Sequence, residues 1–113
     1  TNSISLIIGK DNRIFYHQTD QAGLNENTLQ ETTYDKEGIT KVIEQAKRRA
    51  KDVKKFTVII KPTDDAVYKN FVDILDQMTI TNSQQYGVTD IKPWEKVIYE
   101  KKVGVAKPAV PAQ

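Results

Sequence analysis

The length and composition of the chain exclude several classes of protein. Its 113 residues are enough for one hydrophobic core and too few for two. A net charge of +2 is too small to predict a nucleic-acid partner, and the absence of cysteine excludes disulfides and thiolate chemistry. With one histidine, the sequence gives no reason to expect a metal, a cofactor or a catalytic triad.

The first third of the sequence predicts a β-hairpin followed by a long loop. Residues 3–9, SISLIIG, have the alternating pattern of a strand, and residues 13–17, RIFYH, again have strand composition. The intervening KDN is typical of a tight turn. Residues 18–35 are polar without a period and are predicted to form a loop that is long for a compact domain. His17 is expected to be solvated or to cap the strand end.

Two segments with helical periodicity flank an interior strand. The first helix is predicted from Asp35, its N-cap, to about residue 51. Residues 56–61, FTVIIK, are apolar on both faces and therefore predict an interior strand. The second helix is predicted over residues 64–79, with Tyr68 among the side chains that face the core.

The last part of the sequence predicts a closing strand and an extension. Residues 86–91, YGVTDI, have strand composition, whereas Pro93 fits either the start of a short helix or the interruption of a strand. Residues 103–113 are rich in proline and alanine and predict a flexible or extended tail. We therefore divide the chain into a domain at residues 1–91 and an extension at residues 92–113.

The predicted order of elements is β-β-α-β-α-β, an α/β (α+β) fold. Because strand-helix-strand crossovers are right-handed, both helices are expected on one face of a single mixed sheet. The opposite face is then expected to be solvated or covered by a partner.

The corner formed by Pro62, Thr63, Asp64 and Asp65 joins the interior strand to the second helix. Thr63 is predicted to cap this helix, with both aspartates in its first turn, where negative charge suits the helix dipole. Phosphate binding is not expected, because the corner has no glycine and its two carboxylates repel an anion. We interpret the corner as structural.

The corner and its surroundings resemble the periplasmic domain of the ExbD/TolR biopolymer-transport family. The resemblance is carried by the TVIIK strand, the polar corner, Tyr68, apolar pairs at 71–72 and 74–75, Asp76, and a closing Gly-Val strand. The hairpin LIIGKDNRIFY is similar to the family's opening strands, and DIKPWE is similar to the ending of ExbD-like proteins of the Bacteroidetes type. Departures are Thr63 in place of the usual aspartate, the long loop and the extension from Lys92.

The resemblance implies a non-enzymatic domain that dimerises and binds a TonB-like periplasmic protein. Such domains belong to inner-membrane proteins that couple the proton gradient to TonB-dependent outer-membrane transport. The proton-carrying aspartate of the family lies in a transmembrane helix held by ExbB-like subunits. We expect that helix upstream of Thr1, because no stretch of the chain approaches the ~20 apolar residues of a membrane span. The resemblance implies that this domain lies in the periplasm. The alternative is a TolR-like domain that binds peptidoglycan through the long loop or the basic residues 47–55.

An unpaired strand edge is the expected partner-binding feature. The candidate edges are residues 3–8 and residues 87–91, and Val88 is the position where substitution is expected to damage coupling most. Trp94 is either a lid on the core or an exposed anchor, and residues 47–55 are either a solvated face or a contact with anionic lipid or glycan. The predicted partner-binding residues are Gly87, Val88, Thr89, Ile91 and Trp94.

Overall fold

The computed structural model describes residues 2–106, which form five strands and three helices. In chain order these are β1 (Ser3–Ile8), β2 (Ile14–His17), β3 (Gln30–Thr32), α1 (Lys41–Arg48), β4 (Thr57–Pro62), α2 (Tyr68–Ile80), β5 (Gln85–Val88) and α3 (Pro93–Ala106). The strands form one mixed sheet in the order β3-β2-β1-β4-β5, with β4 and β5 parallel to β1 and the hairpin strands antiparallel. The predicted fold class is confirmed.

The helices α1 and α2 pack on the same face of the sheet, as predicted. Alternate residues of β1 and β4 project onto this face, and the two helices cover them through Ile43 and Ile74, both fully buried. A π-helical segment, Lys36–Thr40, leads into α1. Asp35 lies at the predicted N-cap position, but its carboxylate accepts from Thr33 Oγ1 (2.9 Å) and caps no helix N–H.

The second face of the sheet is covered by the chain itself, so the expectation of a solvated or partner-covered face is wrong. Ile7 and Phe15 pack there against Leu29, from the long loop, and against Tyr99 and Val103 of α3. Residues 103–106 of the predicted tail belong to α3, and residues 107–113 lie outside the described part of the chain. The long loop also contains a short edge strand, β3.

The corner before α2 differs from its prediction. Thr63 N–H donates to Ile8 O (2.9 Å), so backbone pairing with β1 continues beyond Pro62 and the chain turns later than expected. The helix therefore begins at Tyr68, its N-cap is Val67, and the predicted cap at Thr63 is wrong. Tyr68 is 77% exposed rather than facing the core.

Gly9 provides the space in which α3 packs on the sheet. A Cβ at this position would lie 2.6 Å from Cε1 of Tyr99, closer than van der Waals contact allows. The Tyr99 ring packs edge-on against Phe15 with centroids 5.5 Å apart, and its hydroxyl accepts from Lys10 N–H (2.9 Å). Gly9, the residue after β1, must therefore lack a side chain for α3 to pack on the sheet.

We predict that Gly9→Ala lowers the free energy of unfolding by about 1–3 kcal/mol, because the added methyl group overlaps the buried Tyr99 ring. Urea unfolding followed by circular dichroism measures the change. Gly104→Ala is the control, since nothing lies within 4 Å of a Cβ there and a helix gains propensity from alanine. Equal unfolding midpoints for Gly9→Ala and the wild type would contradict the packing argument.

Candidate functional site

Within residues 2–106, no strand pairs with the outer edge of β5. β5 is the last strand on its side of the sheet, whereas β1 is central, which removes residues 3–8 as a candidate edge. Thr89 N–H donates inward to Ile60 O (3.0 Å), and successive amides of a strand point to opposite sides, so the Val88 amide faces away from β4. All four residues of β5 are exposed. An extended segment can therefore pair with this edge.

An apolar groove lies beside this edge. The Val88 side chain points to the helical face of the sheet and, with the start of α2, lines a groove of about 360 Å³. Val88 is 53% exposed, and Tyr68 projects from the other wall, with its ring tilted against Phe71 at a centroid distance of 6.1 Å. The wall residues are Pro62, Thr63, Ala66, Val67, Tyr68, Phe71 and Val88. Unpaired backbone beside an apolar groove is the geometry that binds a peptide by strand addition.

The structure separates the predicted partner-binding residues into two groups. Gly87, Val88 and Thr89 lie together on the exposed edge. Ile91 and Trp94 turn beneath the second face and pack against its core, and the Trp94 ring lies edge-on to His17 with centroids 6.0 Å apart. Of the two roles considered for Trp94, the structure shows the lid on the core.

Asp64, Asp65 and Asp76, the predicted carboxylates of the corner and the second helix, are all exposed and line no part of the groove. The two aspartates of the corner sit in the turn that precedes α2, where Ala66 N–H donates to Thr63 O (3.1 Å). Because none of the three aspartates lines the groove, the apolar wall residues define the candidate site.

A buried charge cluster centred on Glu95 was not predicted from the sequence. Its Oε2 accepts from Lys61 Nζ (2.6 Å) and from His17 Nε2 (2.7 Å), and its Oε1 accepts from Lys92 N–H (2.8 Å) at the start of α3. The Glu95 side chain is fully buried, and the expectation of a solvated His17 is wrong. A lone lysine in the otherwise apolar strand FTVIIK was the signal available in the sequence.

The hydrogen bonds of His17 show which of its ring nitrogens donates to Glu95. His17 Nδ1 accepts from Thr19 N–H (3.1 Å), so Nε2 carries the imidazole proton and donates it to Glu95. Burial by itself raises the pKa of Glu95, but the hydrogen bonds from His17 and Lys61 outweigh it and lower that pKa from 4.5 to about 2. Because the cluster is closed to solvent, we assign it the structural role of fixing α3 to the sheet.

Comparisons with known proteins identify no relative. No family model matches the chain, and no curated protein and no solved structure matches it. Among residues 2–106, no helix is long and apolar enough to cross a bilayer. The same residues contain no group of three or more metal-ligating side chains placed to hold a metal ion.

We predict that Glu95 makes stability depend on acidic pH. Its pKa is lower in the folded than in the unfolded state, so ionised Glu95 stabilises the fold above pH 4.5. This contribution, about 3 kcal/mol, is lost as the pH falls from 4.5 towards 2. Urea unfolding at pH 7, 4, 3 and 2.5 measures it, and Glu95→Gln should show a shallower decrease. Parallel pH profiles for the two proteins would contradict this account.

We also predict that Glu95→Gln lowers the free energy of unfolding at pH 7 by about 3–5 kcal/mol, because it leaves the buried Lys61 ammonium without its carboxylate. Lys61→Met combined with Glu95→Gln should recover part of this loss, since no unpaired cation remains. The control is Glu37→Gln in the exposed Glu37–Lys41 pair, which should change stability by less than about 0.5 kcal/mol. Equal effects at the buried and the exposed glutamate would refute the assignment.

Proposed function

We propose that this chain is the periplasmic domain of an ExbD-like inner-membrane protein that couples the proton gradient to TonB-dependent outer-membrane transport. Its part in that process is contact rather than catalysis. The observation that carries the proposal is the exposed β5 edge beside an apolar groove. The resemblance in element order around Tyr68 and Asp76 supports the choice of this family.

The partner is a TonB-like periplasmic protein that binds as an extended segment. Its carbonyl groups accept from the outward amide of Val88, and every second side chain then enters the groove between Val88 and Tyr68. Backbone pairing supplies general affinity, whereas the groove selects apolar side chains at alternate positions. A homodimer offers two such edges to one partner, which raises the apparent affinity through effective concentration.

Peptidoglycan binding in the manner of TolR is the alternative, and it has less support. The long loop that was one candidate for gripping the glycan packs on the second face, where Leu29 is fully buried and Leu24 nearly so. The polar loop residues around these leucines, such as Asn25 and Asn27, are exposed, so the loop and the basic residues 47–55 are both available for it. Retention of the protein on purified sacculi, abolished by substitution of these lysines, would favour this alternative.

We predict that substitutions of Val88 weaken binding of a TonB-like periplasmic peptide in two separable steps. Val88→Ala removes the groove contact and keeps the amide, so affinity should fall about fivefold. Val88→Pro also removes the outward N–H, without loss of a sheet hydrogen bond, and should lower affinity at least about tenfold further. Fluorescence anisotropy with a labelled peptide measures both steps.

The matched control is Val97→Ala, because Val97 of α3 is 51% exposed and lies outside the groove. It should bind the peptide as the wild type does. A monomer in sedimentation experiments that has no affinity for such peptides at high concentration would end the proposal. Equal binding by the Val88→Ala and Val88→Pro variants would instead exclude strand addition as the mode of contact.

A further inference from the structure

One end of the molecule carries a concentration of positive charge. Residues 47–55 contain six basic side chains and one acidic side chain, whereas the net charge of the whole chain is only +2. The rest of the molecule is therefore net negative. We call these six residues the basic end: Lys47, Arg48, Arg49, Lys51, Lys54 and Lys55.

The basic end lies where the three parallel strands begin. Asp52 N–H donates to Asn2 Oδ1 (3.0 Å) and Thr57 N–H donates to Asn2 O (2.8 Å), so residues 51–57 are fixed beside the start of β1. Ser3, Thr57 and Gln85 are level with one another in the sheet register. The exposed carboxylates of the corner after β4 and of Asp90 after β5 lie past the opposite ends of the strands. The basic end thus lies away from these three carboxylates along the strand direction.

The charge of the basic end is not neutralised within the part of the chain that the structure describes. None of its six side chains forms an ion pair with a carboxylate there. Lys47 Nζ donates to the backbone carbonyls of Thr81 (3.3 Å) and Asn82 (2.7 Å). The one carboxylate in the segment, that of Asp52, accepts from Lys54 N–H (3.1 Å) and caps the turn at Val53–Lys55.

An apolar side chain stands in the middle of these cations. Val53 is 50% exposed, and it lines both of the shallow clefts on this surface together with Lys47. It belongs to neither of the two core clusters. A ligand that is bound by charge alone would not contact an exposed valine between lysines. A ligand surface with anionic groups outside and hydrocarbon beneath could contact both the lysines and the valine.

We propose that the basic end docks on an anionic lipid surface. The lysine and arginine side chains contact headgroup phosphates, and Val53 enters the boundary between headgroups and acyl chains. A nucleic acid is less suited to this surface, because residues 47–55 include no aromatic side chain for stacking and the valine would gain nothing against phosphates. The contact is independent of the β5 edge, so it goes beyond the proposed function.

Co-sedimentation of the whole chain with vesicles tests the proposal. Vesicles of phosphatidylglycerol and phosphatidylcholine should bind the protein, pure phosphatidylcholine vesicles should not, and higher salt should weaken binding. One basic residue contributes about fivefold to such binding, so Lys51→Glu, Lys54→Glu and Lys55→Glu together should weaken it more than about 100-fold. Val53→Ser, which leaves the charge unchanged, should weaken it about fivefold.

The control carries the same charge change at another place, on three exposed lysines at or near α3: Lys92→Glu, Lys96→Glu and Lys101→Glu. It should bind vesicles nearly as well as the wild type, and so should Val88→Pro, which tests the peptide edge instead. Thermal unfolding confirms that each variant is folded. Equal loss in both triple variants, no effect of Val53→Ser, or tighter retention on duplex DNA or purified sacculi than on vesicles would overturn the proposal.

Discussion

The carboxylate of Glu95 is the contact on which the second face of the sheet depends. It accepts from Lys61 on β4, from His17 on β2 and from the backbone N–H of Lys92 just before α3, so one side chain of the last helix ties that helix to two strands. Without it, the lysine would leave an uncompensated charge in the sheet and α3 would lose its N-terminal cap. Tyr99 then completes the packing one helical turn later, in the space that Gly9 leaves.

Because both faces of the sheet are covered, the candidate binding surfaces lie at its edge and at its ends. The groove at Val88 lies near the carboxyl ends of β4 and β5, and the basic residues lie where those strands begin. A peptide at the first place and a lipid surface at the second would not compete, because the length of the strands separates them. This arrangement suits a domain that holds a partner at a fixed height above a membrane.

Sequence patterns predicted the hairpin, the interior strand and both helices of the first face, because each helix has one regular apolar stripe and the interior strand is apolar on both faces. They failed where tertiary contacts decide the outcome. The N-cap of α2 is Val67 and not the predicted Thr63, because Thr63 pairs with Ile8 across the sheet and the helix therefore begins later in the chain. The Glu95 cluster joins residues as far as 78 positions apart in the chain, and no local period signals such a contact.

The pairing of β1 with β4 has a mechanical consequence. The two strands are parallel, in register over six residues, and occupy the middle of the sheet, with Asn2 at the beginning of the first. Tension applied at Asn2 along β1, and resisted by a peptide held on β5, would strain all rungs of this ladder in shear at the same time. A ladder pulled in this direction must break many hydrogen bonds together instead of peeling them one by one, so the sheet would transmit a pull with little stretching.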